Sequence, residues 1–176
     1  MRLRILFLTL VTVLLAGCAG TSGSAGSAAS PPQATSSVDP AGVAADLSWT
    51  ATTVEGKKFA GASLLGKPAL LWFWAPWCPI CQGQIPEVKR MVKQYGGRVT
   101  VVGVGGLDKA AAIRKADEVL GGVVNLADEQ QMVWLDFRMA EQANFVVLDR
   151  TGHITYNSSE NDGNDVMPAQ LAKVVG

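Results

Sequence analysis

Two cysteines three positions apart, Cys78 and Cys81, close the stretch "WFWAPWCPIC" that begins at Trp72. A pair at this spacing can cycle between dithiol and disulfide, lend two ligands to a metal, or staple the chain. The residues around it separate these uses. A bridge over so short a loop recovers little loop-closure entropy, which weakens the staple. Zinc ordinarily takes four ligands. The one histidine, His153, falls in an expected hairpin turn far along the chain, so no metal is expected. Redox chemistry needs a reactive thiolate, and Cys78 follows an apolar run and opens an expected helix. The unpaired N–H groups and positive dipole end of a helix favour an anion. Cys78 is therefore expected to have a lowered pKa and to act as the nucleophile. Cys81 lies one turn on, on the same helix face, where it can resolve a mixed disulfide. Pro79 fits the first turn, because its missing N–H would be unpaired there anyway. Pro76 and Trp77 offer an apolar surface to an extended client segment, and this company suits exposure of the pair at a strand end. Pro79 and Ile80 fill the two positions between the sulfurs. No cofactor beyond the redox-active disulfide is expected.

The elements that must hold this pair are legible. Ala69 to Ala75 is a continuous apolar run, as suits a central strand covered on both faces. Pro79 to Tyr95 reads as a helix, with Ile85, Val88, Met91, Val92 and Tyr95 at three- and four-residue steps, "GG" as its stop and Pro86 as a kink. Upstream, a hairpin is expected with its turn at Glu55-Gly56. Downstream come the strand "RVTVVGV", a helix from an Asp108 cap to about Leu120, the strand "VVNLAD" and the short helix "EQQMVWLDF". The hairpin "NFVVLDRTGHITYN" follows, then a last helix with Asp165 as cap and Pro168 in its first turn. Trp72, Phe73 and Trp74 alternate across their strand and are expected in the core, as are Trp134 and Phe137 on their helix. "GVGG", Gly103 to Gly106, lacks the spacing of a phosphate loop and reads as a tight turn. Strands alternating with helices give a mixed α/β sheet with helices on both faces.

The chain has 176 residues and a formal net charge of zero, which argues against nucleic acid as a partner. Its start, "MRLR", is basic; an apolar run of about a dozen residues follows, too short to span a bilayer but suited to a signal peptide. "LAGC", Leu15 to Cys18, looks like a bacterial lipobox, so residues 1–18 read as a lipoprotein signal ending at a lipidated Cys18. Residues 19–45 are Gly/Ser/Ala/Pro-rich and read as a disordered tether with a reach of about 30 Å. Residues 46–176 are the folded domain. Of three cysteines, lipidation of Cys18 leaves Cys78 and Cys81. The expected location is the cell envelope, outside the cytoplasm, where disulfides persist.

"LWFWAPWCPICQGQIPEV", with "GASLLGKPA" before it and "VTVVGVGGLD" and "VVLDRTGHI" after it, resembles the thioredoxin-like Dsb proteins of the DsbE/DsbF/TlpA group, most closely lipid-anchored DsbF-type members. The likeness runs from about Leu47 to Gly176. It implies a thioredoxin-like fold, a central mixed sheet flanked by helices with an N-terminal β-hairpin extension. It implies thiol–disulfide exchange on exported proteins that carry thiols or disulfides. A membrane redox partner, DsbB/VKOR-like or DsbD/CcdA-like, would reset the pair. The likeness tilts the direction toward oxidation or isomerisation; reduction for cytochrome c maturation and a redox-slow client-binding module are the alternatives. Copper carriers of a related fold use C-x-x-x-C plus histidine, a spacing this chain lacks. Three positions depart from the family pattern. A cis-proline usually faces the cysteines, and the matching residue is Ala143; outside proline a cis peptide costs about 2.5–4 kcal/mol, so a trans bond is expected, with a backbone N–H free to meet substrate or dithiol. A glutamate common three residues after the second cysteine is Gln84, which cannot carry its proton. The buried aspartate that thioredoxins keep six residues before the first cysteine is Trp72, with Glu55 and Glu87 as conceivable substitutes.

Overall fold

The computed structural model describes residues 42–118, 120, 123–160 and 167–176. The signal with Cys18, the tether up to residue 41 and the expected cap Asp165 lie outside the described residues. The strands are β1 (Val43–Ala44), β2 (Thr50–Thr52), β3 (Lys58–Ala60), β4 (Ala69–Trp74), β5 (Thr100–Gly105), β6 (Val124–Ala127), β7 (Asn144–Leu148) and β8 (His153–Asn157). The helices are α1 (Pro79–Tyr95), α2 (Ala110–Asp117), α3 (Met132–Asp136) and α4 (Met167–Val175). Six strands form one sheet in the order β1-β8-β7-β4-β5-β6, and β2-β3 is a separate hairpin. β4, β5 and β6 run parallel, while β7 lies antiparallel to β4 and to β8. β1 pairs with β8, so the sheet takes in Val43 and Ala44, which sequence alone put in the tether.

β4 is central, and every one of its residues is buried. Its alternate side chains enter two cores. Leu70, Trp72 and Trp74 join residues of α1, α2 and α4, while Ala69, Leu71 and Phe73 join Val133 and Trp134 of α3. Fully burying a large apolar side chain contributes about 1.5–3 kcal/mol, so this strand anchors both layers. Among the described residues, no helix is long and apolar enough to cross a membrane.

Local rules account for most of these elements. Glu55-Gly56 does turn the β2–β3 hairpin, with Gly56 at φ 82°. α1 spans the expected residues, continues through Pro86, and ends where Gly96 adopts the left-handed conformation. α2 departs from expectation. It runs from Ala110 to Asp117, and the Asp108 carboxylate accepts from the Lys109 N–H rather than from the first turn of the helix. The N–H of Ala110 is instead bound by Glu129, a carboxylate 19 residues away that also pairs with Lys109. The "GVGG" reading is corrected too, since Gly103 and Gly105 lie within β5. A Cβ on Gly103 would collide with Asn125, one on Gly105 with Ile113, and one on Gly106 with the Trp134 indole. The glycines make room for packing rather than for a turn.

Candidate active site

β4 delivers the chain to the head of α1. Cys78 is the N-cap of that helix, with Pro79 in its first turn. A disulfide joins Cys78 to Cys81, with Cα atoms 5.3 Å apart. The Cys81 N–H points at Cys78 Sγ at 3.0 Å. One otherwise orphaned helix donor thus faces the first sulfur, where a thiolate would gain from it. Both cysteines are buried, at 1% and 2% exposure, whereas Trp77 is 53% and Ile80 67% exposed. Exposure was expected for the pair itself; it belongs instead to the residues beside it. The Trp77 indole N–H donates to the carbonyl of Leu107 at 3.3 Å, tying the approach to the loop after β5.

The three departures from the family pattern meet in one place. Trp72 Nε1 donates to Gln84 Oε1 at 2.8 Å, and Gln84 Nε2 donates to the Ala143 carbonyl at 2.9 Å. No peptide bond of the described chain is cis, so Gln142–Ala143 is trans, as expected. Its N–H is not held for substrate, however, because it donates to Phe73 O at 2.8 Å and lengthens the β4–β7 ladder. Ala143 sits at φ 65°, a region an alanine seldom occupies. Trp72, Cys78, Cys81 and Ala143 share one buried cluster.

The conceivable acid–base substitutes are engaged elsewhere. Glu87 pairs with Arg90 on α1, and Glu55 accepts from Thr53 Oγ1 at 2.9 Å in the hairpin turn. His153 meets Thr151 Oγ1 at 2.7 Å in the β7–β8 turn, at the end of β7 away from Ala143. Among the described residues no group of three or more His, Cys, Asp or Glu is placed to hold a metal.

Sequence reading missed a second polar chain behind the site. Trp74 Nε1 donates to Asn125 Oδ1 at 3.1 Å, and Asn125 Nδ2 donates to Asp117 Oδ1 at 2.6 Å. Asn125 is fully buried, and a lone amide in the apolar strand "VVNLA" was the signal available. Burial pushes the Asp117 carboxyl above its ordinary range, the Asn125 bond opposes that, and nearby Glu55 adds to it. A cavity of about 620 Å³ opens beside Cys81, with Trp72, Trp74, Pro76, Ile85 and Leu120 in its wall.

Residues 42–157 match the model of the AhpC/TSA family. The chain belongs to that family. Within it the likeness is to Dsb-type members. The chain is 38% identical over 120 residues to the soluble secreted antigen MPT53 of Mycobacterium tuberculosis, covering 66% of this chain and 69% of that one. The structure of DsbF from the same organism superposes with a TM-score of 0.68 at 36% identity, over 75% of this chain and 98% of that one. A secreted M. tuberculosis disulfide oxidoreductase homologous to E. coli DsbE gives 0.64 at 30% identity, over 72% and 96%. This member of the AhpC/TSA family has the thioredoxin-like fold and is a thiol–disulfide oxidoreductase of the DsbE/DsbF type with a Cys78–Cys81 pair.

Proposed function

We propose that the protein is held at the outer side of a membrane by lipid on Cys18 and oxidises or isomerises exported proteins more readily than it reduces them. The observation that carries exchange at this pair is the Cys78–Cys81 disulfide at the head of α1, flanked by exposed Trp77 and Ile80; the sequence "LAGC" at Leu15 to Cys18 supports the anchor, and the DsbF likeness the direction. A client thiolate attacks Cys78 Sγ, the intramolecular bond breaks, and Cys81 leaves as a thiolate that takes up a proton. A second client thiolate then attacks the client sulfur of the mixed disulfide, and Cys78 leaves. The client loses two electrons and two protons, and the pair gains them. A membrane partner of the DsbB/VKOR kind would restore the disulfide; a DsbD/CcdA-like partner would instead serve a reductase. Trp77 and Ile80 give an extended client an apolar strip to lie on.

Turnover tests the reading. The purified chain should oxidise a reduced cysteine-pair peptide and should reduce insulin more slowly. Neither activity above background would end the oxidoreductase reading, and insulin reduction as the faster reaction would reverse the direction. The burial of both sulfurs favours a second reading, a redox-slow module that holds clients. Peptide retention without turnover is its signature. Fatty-acid labelling that disappears in Cys18→Ser, with the protein released from membranes, is the expected outcome for the anchor.

A further inference from the structure

We infer that Gln84 is a positioning residue: it fixes the Ala143 peptide within the cluster that holds the cysteines and thereby sets how tightly a client docks. This rests on the disulfide-exchange reading above. Two of the amide's partners have fixed and opposite needs. The Trp72 indole can only donate, and the Ala143 carbonyl can only accept, so the amide orientation is dictated and one side chain satisfies both. A carboxylate would satisfy the indole and face the carbonyl with a second acceptor. A hydrocarbon would satisfy neither and would strand the N–H of a fully buried Trp72.

The third contact makes the arrangement a clamp. Ala143 is pinned to β4 through its N–H on Phe73 O and to α1 through its carbonyl on Gln84. A non-glycine residue at φ 65° persists only when its surroundings over-determine it. Here β4 and α1 do so at a point inside the cluster that contains both cysteines. Loss of the Gln84 bond removes the tie from α1 to that peptide and loosens Ala143 within the cluster that holds the pair. The chemistry at sulfur is untouched, because Gln84 bonds neither cysteine in this arrangement.

Oxidation of a reduced model peptide by the full chain separates docking from chemistry. Gln84→Met should raise KM about tenfold, the equivalent of one lost hydrogen bond, with kcat within about twofold of wild type. Gln84→Glu supplies a switchable version. Protonated, its acid group donates to the Ala143 carbonyl and accepts from Trp72; ionised, it cannot donate. Its KM should therefore lie nearest wild type at the acid end of the working range and rise to about tenfold above it by about pH 8, with no such difference developing in wild type. Charged groups on the elements that meet position 84 are Glu87, Lys89, Arg90 and Lys93 on α1 and Glu141 in the loop. Glu87 is already paired with Arg90, the others are exposed, and β4 has none. Gln84 variants whose KM stays within about twofold of wild type at every pH overturn the clamp, as does a fall in kcat at unchanged KM. If the wild type itself does not turn over, the exchange reading fails, and amide exchange then decides. An Ala143 N–H whose protection in Gln84→Glu falls about tenfold below wild type at the same neutral pH supports the clamp, and equal protection overturns it.

Discussion

On the α1 face of the sheet, Trp72 and Trp74 stack at 5.6 Å, and each indole N–H donates to a side-chain amide, Gln84 in one case and Asn125 in the other. On the α3 face, Phe73 meets Trp134 edge-on, also at 5.6 Å, and the Trp134 N–H donates to the backbone carbonyl of Val104. Both faces bury aromatic rings of one strand, yet their polar ends lead to different places. A backbone acceptor in β5 is fixed by the sheet and cannot be exchanged by substitution. The side-chain acceptors lead onward, to the Ala143 carbonyl and to the Asp117 carboxylate. The α3 face is therefore scaffold, and the α1 face is where polar substitutions can act on the cysteine pair. Substitutions on the first should register in stability alone, and those on the second can register in exchange as well.

The largest stability loss is expected on the scaffold face. Trp134→Ala removes a fully buried indole packed over Gly106 and should cost about 3–5 kcal/mol in urea unfolding. Its folded fraction should exchange disulfides at the wild-type rate. Slowed exchange with unchanged stability would break the division between the faces. Next comes Ala143→Pro. It removes the bond to Phe73 O and cannot adopt φ 65°, so in this backbone a loss of about 2–3 kcal/mol is expected. A proline variant as stable as wild type would show that the loop rearranges freely. Cys78→Ser sharpens the contrast from the other side. Exchange should vanish while stability falls by about 2 kcal/mol at most, because the bridge closes so short a loop.

Particular residues show what could be read in advance. β4, α1 and both hairpins follow from apolar runs, helical spacing, prolines and turn glycines, all signals contained within a few neighbouring residues. The cysteine pair was legible for the same reason, since its spacing and the strand–helix junction that carries it lie within a few neighbouring residues. Glu129 at the head of α2 was not, because it arrives from another loop and leaves Asp108 without the expected role. The burial of Cys78 was hidden because neighbouring Trp77 and Ile80 point outward while the sulfurs turn in. Gln84, Trp72 and Ala143 each stood out as a departure from a family pattern. Their mutual bonding did not, since 59 positions separate Gln84 from Ala143 and only the sheet brings them together.

The smallest expected effect tests the polar end of the Trp74 chain. Asp117 accepts from Asn125 in a partly buried setting that raises its carboxyl above the ordinary range, chiefly by desolvation. The folded state thus favours the protonated acid. That stabilisation is present in full below the unfolded-state pKa of about 3.9 and is lost as pH rises through the higher folded-state value. Asp117→Asn keeps an oxygen for the Asn125 bond and removes the charge. Its urea midpoint, compared with wild type from about pH 3 to about pH 7, should gain on wild type as pH rises through the acid range and then level off. A difference that is flat, or that shrinks with pH, would mean the Asn125 bond outweighs desolvation. The counterpart on the α3 face behaves otherwise. Asp128 is also raised by burial, but its two oxygens accept from the N–H groups of Met132 and Trp134 at the start of α3. An asparagine there forfeits one of those bonds, so Asp128→Asn should lose stability across the range in which Asp117→Asn gains it.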